Sequence, residues 1–322
     1  MKTLSMKHEL KTNKSIYNIL IGKKSHQTYF DATIEHLKLY YGCLPNLKYH
    51  HFESIIENGS YSQYKPIKAN TFYEQAYQTI QTILLVIQMV SHKKHDHSFY
   101  QPIINDKSIQ FKAKELYTFI KKDKFDLFIN EIYELLEEIE NEFNIVYVHY
   151  LLTGFGETPY TIEQISLLEH IPVLELKSQL IQEFQYIQKC LENSEKYPIL
   201  SKIKFEASLN YQTLTTFQLL NQTTNIERLA ELKNVKTHTI HDHIIEMYIK
   251  GYLIDKSLYI DDETYVNFIE VFEEKPNQNL KYYYEKLENL SYFEIKLMYV
   301  IYAMEEIYVK RWTEKIFWIW WF

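Results

Sequence analysis

The sequence predicts an all-α protein, and three observations predict it. Only six Gly and seven Pro are spread over 322 residues, too little turn material for a sandwich or barrel that reverses direction roughly every ten residues. Apolar residues recur by threes and fours over long windows, the mark of helices with one buried face. A third observation, near residue 230, is a pair of short helical stretches joined by a turn in which each position carries its own steric demand.

Composition narrows the function classes. The chain is 46% apolar and 24% charged, with a net charge of −7, an ordinary globular balance for one or two domains. Scarce glycine argues against phosphate-cradling loops. Ile21-Gly22-Lys23-Lys24-Ser25 has the look of a Walker A ending, but Tyr17 stands where the first Gly belongs and Lys24 separates Lys23 from Ser25. Gly154-Phe155-Gly156 lacks a dinucleotide fingerprint. Cys43 and Cys190 cannot form a disulfide framework or a four-cysteine zinc site, which points to a reducing compartment. The N-terminus has no signal-peptide core and no long apolar run follows, so a cytoplasmic protein without a membrane partner is expected. Two Arg stand against 33 Lys; this fits an AT-rich gene, and lysine content alone says little.

Taken in order, residues 72 to 90 place Phe72, Tyr73, Ala76, Tyr77, Ile80, Ile83, Leu84 and Ile87 on one helical stripe. Residues 125 to 143 repeat the pattern, and their acidic side (Glu131, Glu134, Glu137, Glu138, Glu140, Glu142) reads as a solvated face. Breaks are expected at 91–105, 153–159, 193–198 and 274–279, with the domain boundary at 193–198. Residues 1–68 hold ten Lys against five acids, and residues 261–306 four Lys against eleven acids. His92, His95 and His97 beside Asp96 contain metal-ligand atoms, but their lysine-rich setting reads as a surface loop. No Ser/His/Asp or Cys/His spacing stands out. No cofactor, no metal and no enzymatic activity are expected.

Ile226 to Ile245, IERLAELKNVKTHTIHDHII, fits a helix-turn-helix at every constrained position. Ala230 is small where the second helix crosses the first. Asn234 sits in the turn, where a left-handed conformation suits Asn or Gly. Leu229, Val235 and Ile240 fill the wedge between the helices. Thr223-Thr224-Asn225 offers N-cap oxygens to the first helix and Thr237 to the second. Gly251 ends the second helix, and residues 252–254 with 258–260 could pair as a small wing. The expected architecture is therefore a helical N-terminal domain (1–198), a C-terminal winged helix-turn-helix (199–275), trailing helices (280–311) and an aromatic tail (312–322).

A DNA reading puts Lys236, Thr237, His238, Thr239 and His241 in the major groove, with Lys250, Lys23 and Lys24 on phosphates. Charge opposes it. Residues 213–256 balance Arg228, Lys233, Lys236, Lys250 and Lys256 against Glu227, Glu231, Asp242, Glu246 and Asp255, and phosphate contacts supply most nucleic-acid affinity. Duplex binding by this module alone should be weak, and a protein-docking role is the competing reading. Ile162 to Ile181 repeats the pattern more faintly, with Ser166 at the small position, His170 in the turn, Ile165, Ile171 and Leu176 in the wedge and Pro172 opening the second helix. It is either a second helix-turn-helix or an ordinary helical hairpin.

Residues 213 to about 304 resemble the helicase helix-turn-helix domain found at the C-terminus of some RecQ-family DNA helicases. The resemblance rests on LTTFQLL, IERLAELKNV, the Thr239-Ile240-x-x-His243-Ile244 element, GYLID and SYFEIKLMYVIYAM. With a helical first half containing SIYNILIGKKSHQT, the whole chain looks like the YpbB-type proteins of Firmicutes. The resemblance implies an accessory role beside a RecQ-like helicase in DNA repair or recombination, with a structural place for His243. A transcriptional regulator using the same motif is the alternative. The ending EKIFWIWWF adds a hint of another kind. Read one base later, its codons allow KKYFGFGGFR, similar to the aromatic-glycine opening ahead of the RecQ helicase core. Overlap with a helicase gene is expected; a continuing frame without a helicase core would end that idea.

Overall fold

The computed structural model describes residues 12–58, 71–97, 99–121, 123–276 and 278–319, with side chains up to Glu305 in the last helix. Along the chain run α1 (Asn13–Leu20), α2 (His26–Ile34) and α3 (Tyr49–Asn58), then α4 (Tyr73–Lys94), α5 (Lys107–Ile120), α6 (Phe125–Phe143), α7 (Ile162–Leu168) and α8 (Val173–Cys190). The last six are α9 (Tyr211–Leu219), α10 (Ile226–Lys233), α11 (Thr237–Ile249), α12 (Asp262–Glu274), α13 (Leu280–Lys286) and α14 (Tyr292–Ile319). Among the described residues there is no strand, and one isolated bridge joins Gly154 to Glu157.

The helices divide into two compact units, one formed by residues 71–206 and the other by residues 2–70 together with 207–322. This differs from the expected boundary at 193–198. The 193–206 stretch stays with the first unit because Tyr197, Ile199, Leu200 and Ile203 are buried in its core. The first helices join the second unit because α2, buried from Thr28 to Thr33, packs on α11 and α14 as well as on α1. The described residues of 1–198 divide between the two units.

In the first unit α4 is enclosed by α5, α8 and a 3-10 turn at Leu200–Ile203. It is buried nearly all round, rather than along one stripe. Two of its buried polar side chains bond to neighbouring backbone. Thr79 Oγ accepts the Phe205 N–H, and Gln88 donates to the Gln101 carbonyl while accepting the Ile103 N–H. Glu131 also departs from expectation: it is buried, not solvated. Its carboxylate accepts the N–H groups of Ile199 and Leu200 at 2.8–3.2 Å, capping the 3-10 turn. Glu183 on α8 does the same for the turn at Val148–Leu151, accepting from Tyr147 and Val148 at 2.8 and 2.7 Å. The first turn's worth of N–H groups at such a start has no partner of its own, so each carboxylate is held by what it satisfies.

In the second unit α11 is the central helix. It touches α2, α9, α10 and α14, and α12 and α13 close the far side of α14.

Candidate functional site

The local geometry of α10–turn–α11 follows from its residues. Asn225 caps α10, its side chain accepting the Arg228 N–H at 2.8 Å. Asn234 adopts φ +52, the left-handed conformation expected of it, and frees the Val235 N–H to reach the Ala230 carbonyl at 3.0 Å. Leu229, Ala230 and Ile240 are buried, whereas Val235 is only half-buried. The N-cap of α11 is Lys236, without a side-chain cap bond; Thr237 is the first helical residue, so its expected capping role is not taken up. At the other end the Gly251 N–H (φ +78) donates to the Tyr248 carbonyl and the Tyr252 N–H to that of Met247, the paired bonds of a Schellman cap.

The expected wing is absent. Asp255 accepts both the N–H and hydroxyl of Ser257, and the N–H groups of Tyr259 and Ile260 return to the Lys256 carbonyl. Those donors are consumed in a 3-10 turn at Lys256–Leu258 and cannot form a strand ladder.

Glu246 organises the interior behind the motif. Fully buried on α11, it accepts from the Asn210 backbone N–H, the Asn210 side-chain amide, the Thr213 hydroxyl and the Lys250 ammonium, with His26 Nδ1 at 3.4 Å. Burial by itself would raise its pKa, but Lys250 and the hydrogen bonds outweigh that and hold the carboxyl below its usual value. His243 lies beside it, hydrogen-bonded to the Thr216 hydroxyl at 2.7 Å. Burial, with Lys233 and His26 nearby, pushes His243 down to about 4, so it is neutral near pH 7.

The residues singled out for DNA contact separate into two groups. Lys236, Thr237 and His238 are exposed and Thr239 is half-exposed at the start of α11. Lys23 and Lys24 are exposed on the α1–α2 loop, which belongs to the same unit. The others are engaged elsewhere. His241 stacks on Phe293 of α14 with ring centroids 4.2 Å apart, and the adjacent Asp242 pairs with Lys296 at 3.3 Å. Lys250 has a side chain only 5% exposed; its ammonium donates to the Ser208 carbonyl and Glu246 and lies 4.2 Å from the Tyr29 ring centre. It cannot serve as a phosphate contact. Lys233 is likewise tied to the Gln212 carbonyl and the Thr215 hydroxyl.

Sequence reasoning missed the burial of Glu131, Glu183 and Glu246. A signal was present: Glu246 and Glu183 interrupt the apolar stretches HIIEMYI and LIQEFQYI, where a charge persists only with partners. The histidine loop is also tighter than expected. His92 is buried, stacks on Tyr100 and has its Nδ1 3.2 Å from that of His97, while His95 stacks on Phe155. Among the described residues no group of three His, Cys, Asp or Glu is placed to hold a metal ion, and no helix is long and apolar enough to cross a membrane.

Residues 212–299 match the family model described as Helix-turn-helix domain. This segment is a helix-turn-helix domain. It spans α9 through the first turns of α14, so the trailing helices belong to the helix-turn-helix domain itself, whereas α2 is an addition from outside it. The chain as a whole is similar to Protein YpbB of Bacillus subtilis (strain 168), at 22% identity over 326 aligned residues covering 89% of this chain and 92% of that protein. This agrees with the resemblance to YpbB-type proteins. No solved structure matches the chain significantly.

Proposed function

We propose that the chain is a non-enzymatic accessory factor of a RecQ-like DNA helicase in DNA repair or recombination, in which the helix-turn-helix domain serves first as a protein-docking surface. The observation that carries this reading is the burial of α11. A DNA-reading helix-turn-helix lays the exposed face of its second helix in the major groove. Here α2 and α14 pack against that helix, residues 243–249 are buried, and the fully exposed residues at its start are Lys236, Thr237 and His238, with Thr239, His241 and Asp242 half-buried. The basic groups around it are few, and two of them, Lys233 and Lys250, are spent on internal bonds. DNA is a secondary ligand on this reading, held by Lys236, Lys23 and Lys24.

The test is a binding titration of the full chain against the RecQ-like helicase of the same organism, without DNA, at physiological salt. Micromolar or tighter association is the expected result. Absence of association, together with tight binding to a palindromic duplex, would favour a transcriptional regulator instead. Lys236→Glu should weaken any duplex binding and reduce its salt dependence by about one phosphate contact. Unchanged binding in that variant removes the start of α11 as a DNA surface.

A further inference from the structure

The fainter pattern at 162–181 is built as a helix-turn-helix in its own right. Each hinge of the α10–α11 motif has a counterpart 64 residues earlier. Thr161 caps α7 as Asn225 caps α10, with Gln164 completing a capping box. Ile165 and Leu176 are fully buried, as Leu229 and Ile240 are. His170 takes φ +54 where Asn234 takes +52. The Ile171 N–H donates to the Ser166 carbonyl at 3.2 Å, as Val235 does to Ala230 at 3.0 Å. Pro172 stands at the N-cap of α8, where Lys236 stands in α11.

The surfaces of the two motifs differ. The α7–α8 motif displays three leucines within eight residues, on both arms of its turn: Leu167 is 75% exposed, Leu168 53% and Leu174 46%. Isolated exposed leucines are unremarkable, but clustered ones mark contact surfaces. The charge around them is mostly negative. Glu157, Glu163 and Glu175 are exposed, Glu169 is half-buried and bonded to the Tyr150 hydroxyl, and Lys177 is the one lysine or arginine from 157 to 177. Such a surface repels nucleic acid, whose affinity comes from phosphates.

We propose that this second helix-turn-helix is a docking site for a cationic amphipathic helix of another protein. The incoming helix lays its apolar side on Leu167, Leu168 and Leu174 and its lysines or arginines on Glu163 and Glu175. Apolar contact supplies the affinity, and charge complementarity sets the encounter rate and the orientation. The inference is independent of the helicase reading, because these residues lie in the other unit and the argument uses no helicase.

The test uses the full chain and a fluorescein-labelled leucine–lysine peptide of about sixteen residues with leucines at helical spacing. A peptide with glutamate for lysine and one with the same composition but scrambled order are the controls. By anisotropy, the wild type should bind only the amphipathic lysine peptide, and less tightly as salt is raised. Leu167→Asp/Leu168→Asp should bind at least about tenfold more weakly. Both side chains are exposed, so far-UV circular dichroism should be unchanged. Should that variant lose its helicity, Glu163→Lys/Glu175→Lys decides the matter by losing the salt-dependent part of the affinity. Equal binding by wild type and both variants, equal binding of the scrambled peptide, or no binding by the wild type overturns the proposal.

Discussion

At the scale of single residues, two buried titratable groups set opposite pH trends. Lys38, between α2 and α3, is wholly buried, its ammonium donating to the Ile249 carbonyl at 2.9 Å and touching Met304 Sδ. Burial lowers its pKa from 10.5 to about 7. Between those values the unfolded chain binds more protons than the folded one, so this group's contribution to stability rises with pH. Below about 7 it is charged in both states, and its burial costs stability in full. Lys38→Met should therefore gain most over the wild type at pH 6 to 7, the gap closing toward pH 10; urea titrations at several pH values measure it, and a constant gap would contradict the shift. Glu183 acts the other way. Burial raises it from 4.5 to about 7 against the pull of its two N–H partners. The folded state holds the extra proton in that window, so stability is lost as pH rises through it. Relative to Glu183→Gln, the wild type should weaken between pH 5 and 8.

At the scale of elements, the turns that shape the helix-turn-helix rest on left-handed residues of unequal tolerance. Asn234→Gly should change stability by only a few tenths of a kcal/mol, while Asn234→Ala should cost about 1 kcal/mol. Gly251→Ala meets nothing within 4 Å, so it should cost only the backbone strain, about 1 kcal/mol. Gly22→Ala adds a clash, because its Cβ would lie 2.9 Å from the Gly42 Cα; roughly 2–3 kcal/mol is expected, and thermal unfolding of the two variants compares them directly. The Asn234 and Gly251 turns were legible in the sequence, because caps and left-handed positions are short-range demands met within five residues. The wing was not. Tyr252 to Ile260 carries strand-like residues, but Asp255 diverts the local N–H donors, and a strand with no second strand to pair with gains nothing.

At the scale of the molecule, α2 from the first part of the chain packs on α11 and α14 of the helix-turn-helix domain. Residues 207–322 without 1–70 would lose α2, expose the parts of α11 and α14 that it packs against, and leave Glu246 without its His26 neighbour. That fragment should unfold at lower denaturant than the full chain's second unit and bind a hydrophobic dye. Residues 71–206 carry a complete core and should unfold cooperatively alone. A fragment 207–322 as stable as the intact unit would show α2 to be dispensable.

The sequence by itself determined the helical class, the extent of α6 and the helix-turn-helix at 226–245 with its Asn234 turn; at 162–181 it left a second helix-turn-helix and an ordinary helical hairpin both open. Each of these is written in spacings shorter than about twenty residues, where helical period and capping chemistry act directly. Tertiary structure alone decided that the first helices pack into the C-terminal unit, that Glu131, Glu183 and Glu246 are buried acceptors of N–H groups, that Lys250 is buried against Glu246 and that His241 stacks on Phe293. Those outcomes depend on pairings between residues dozens to hundreds of positions apart, such as Lys38 with Ile249 and Glu131 with Leu200. Local pattern shows that a helix has a polar side; only packing decides whether that side meets water or the unpaired N–H groups of another helix.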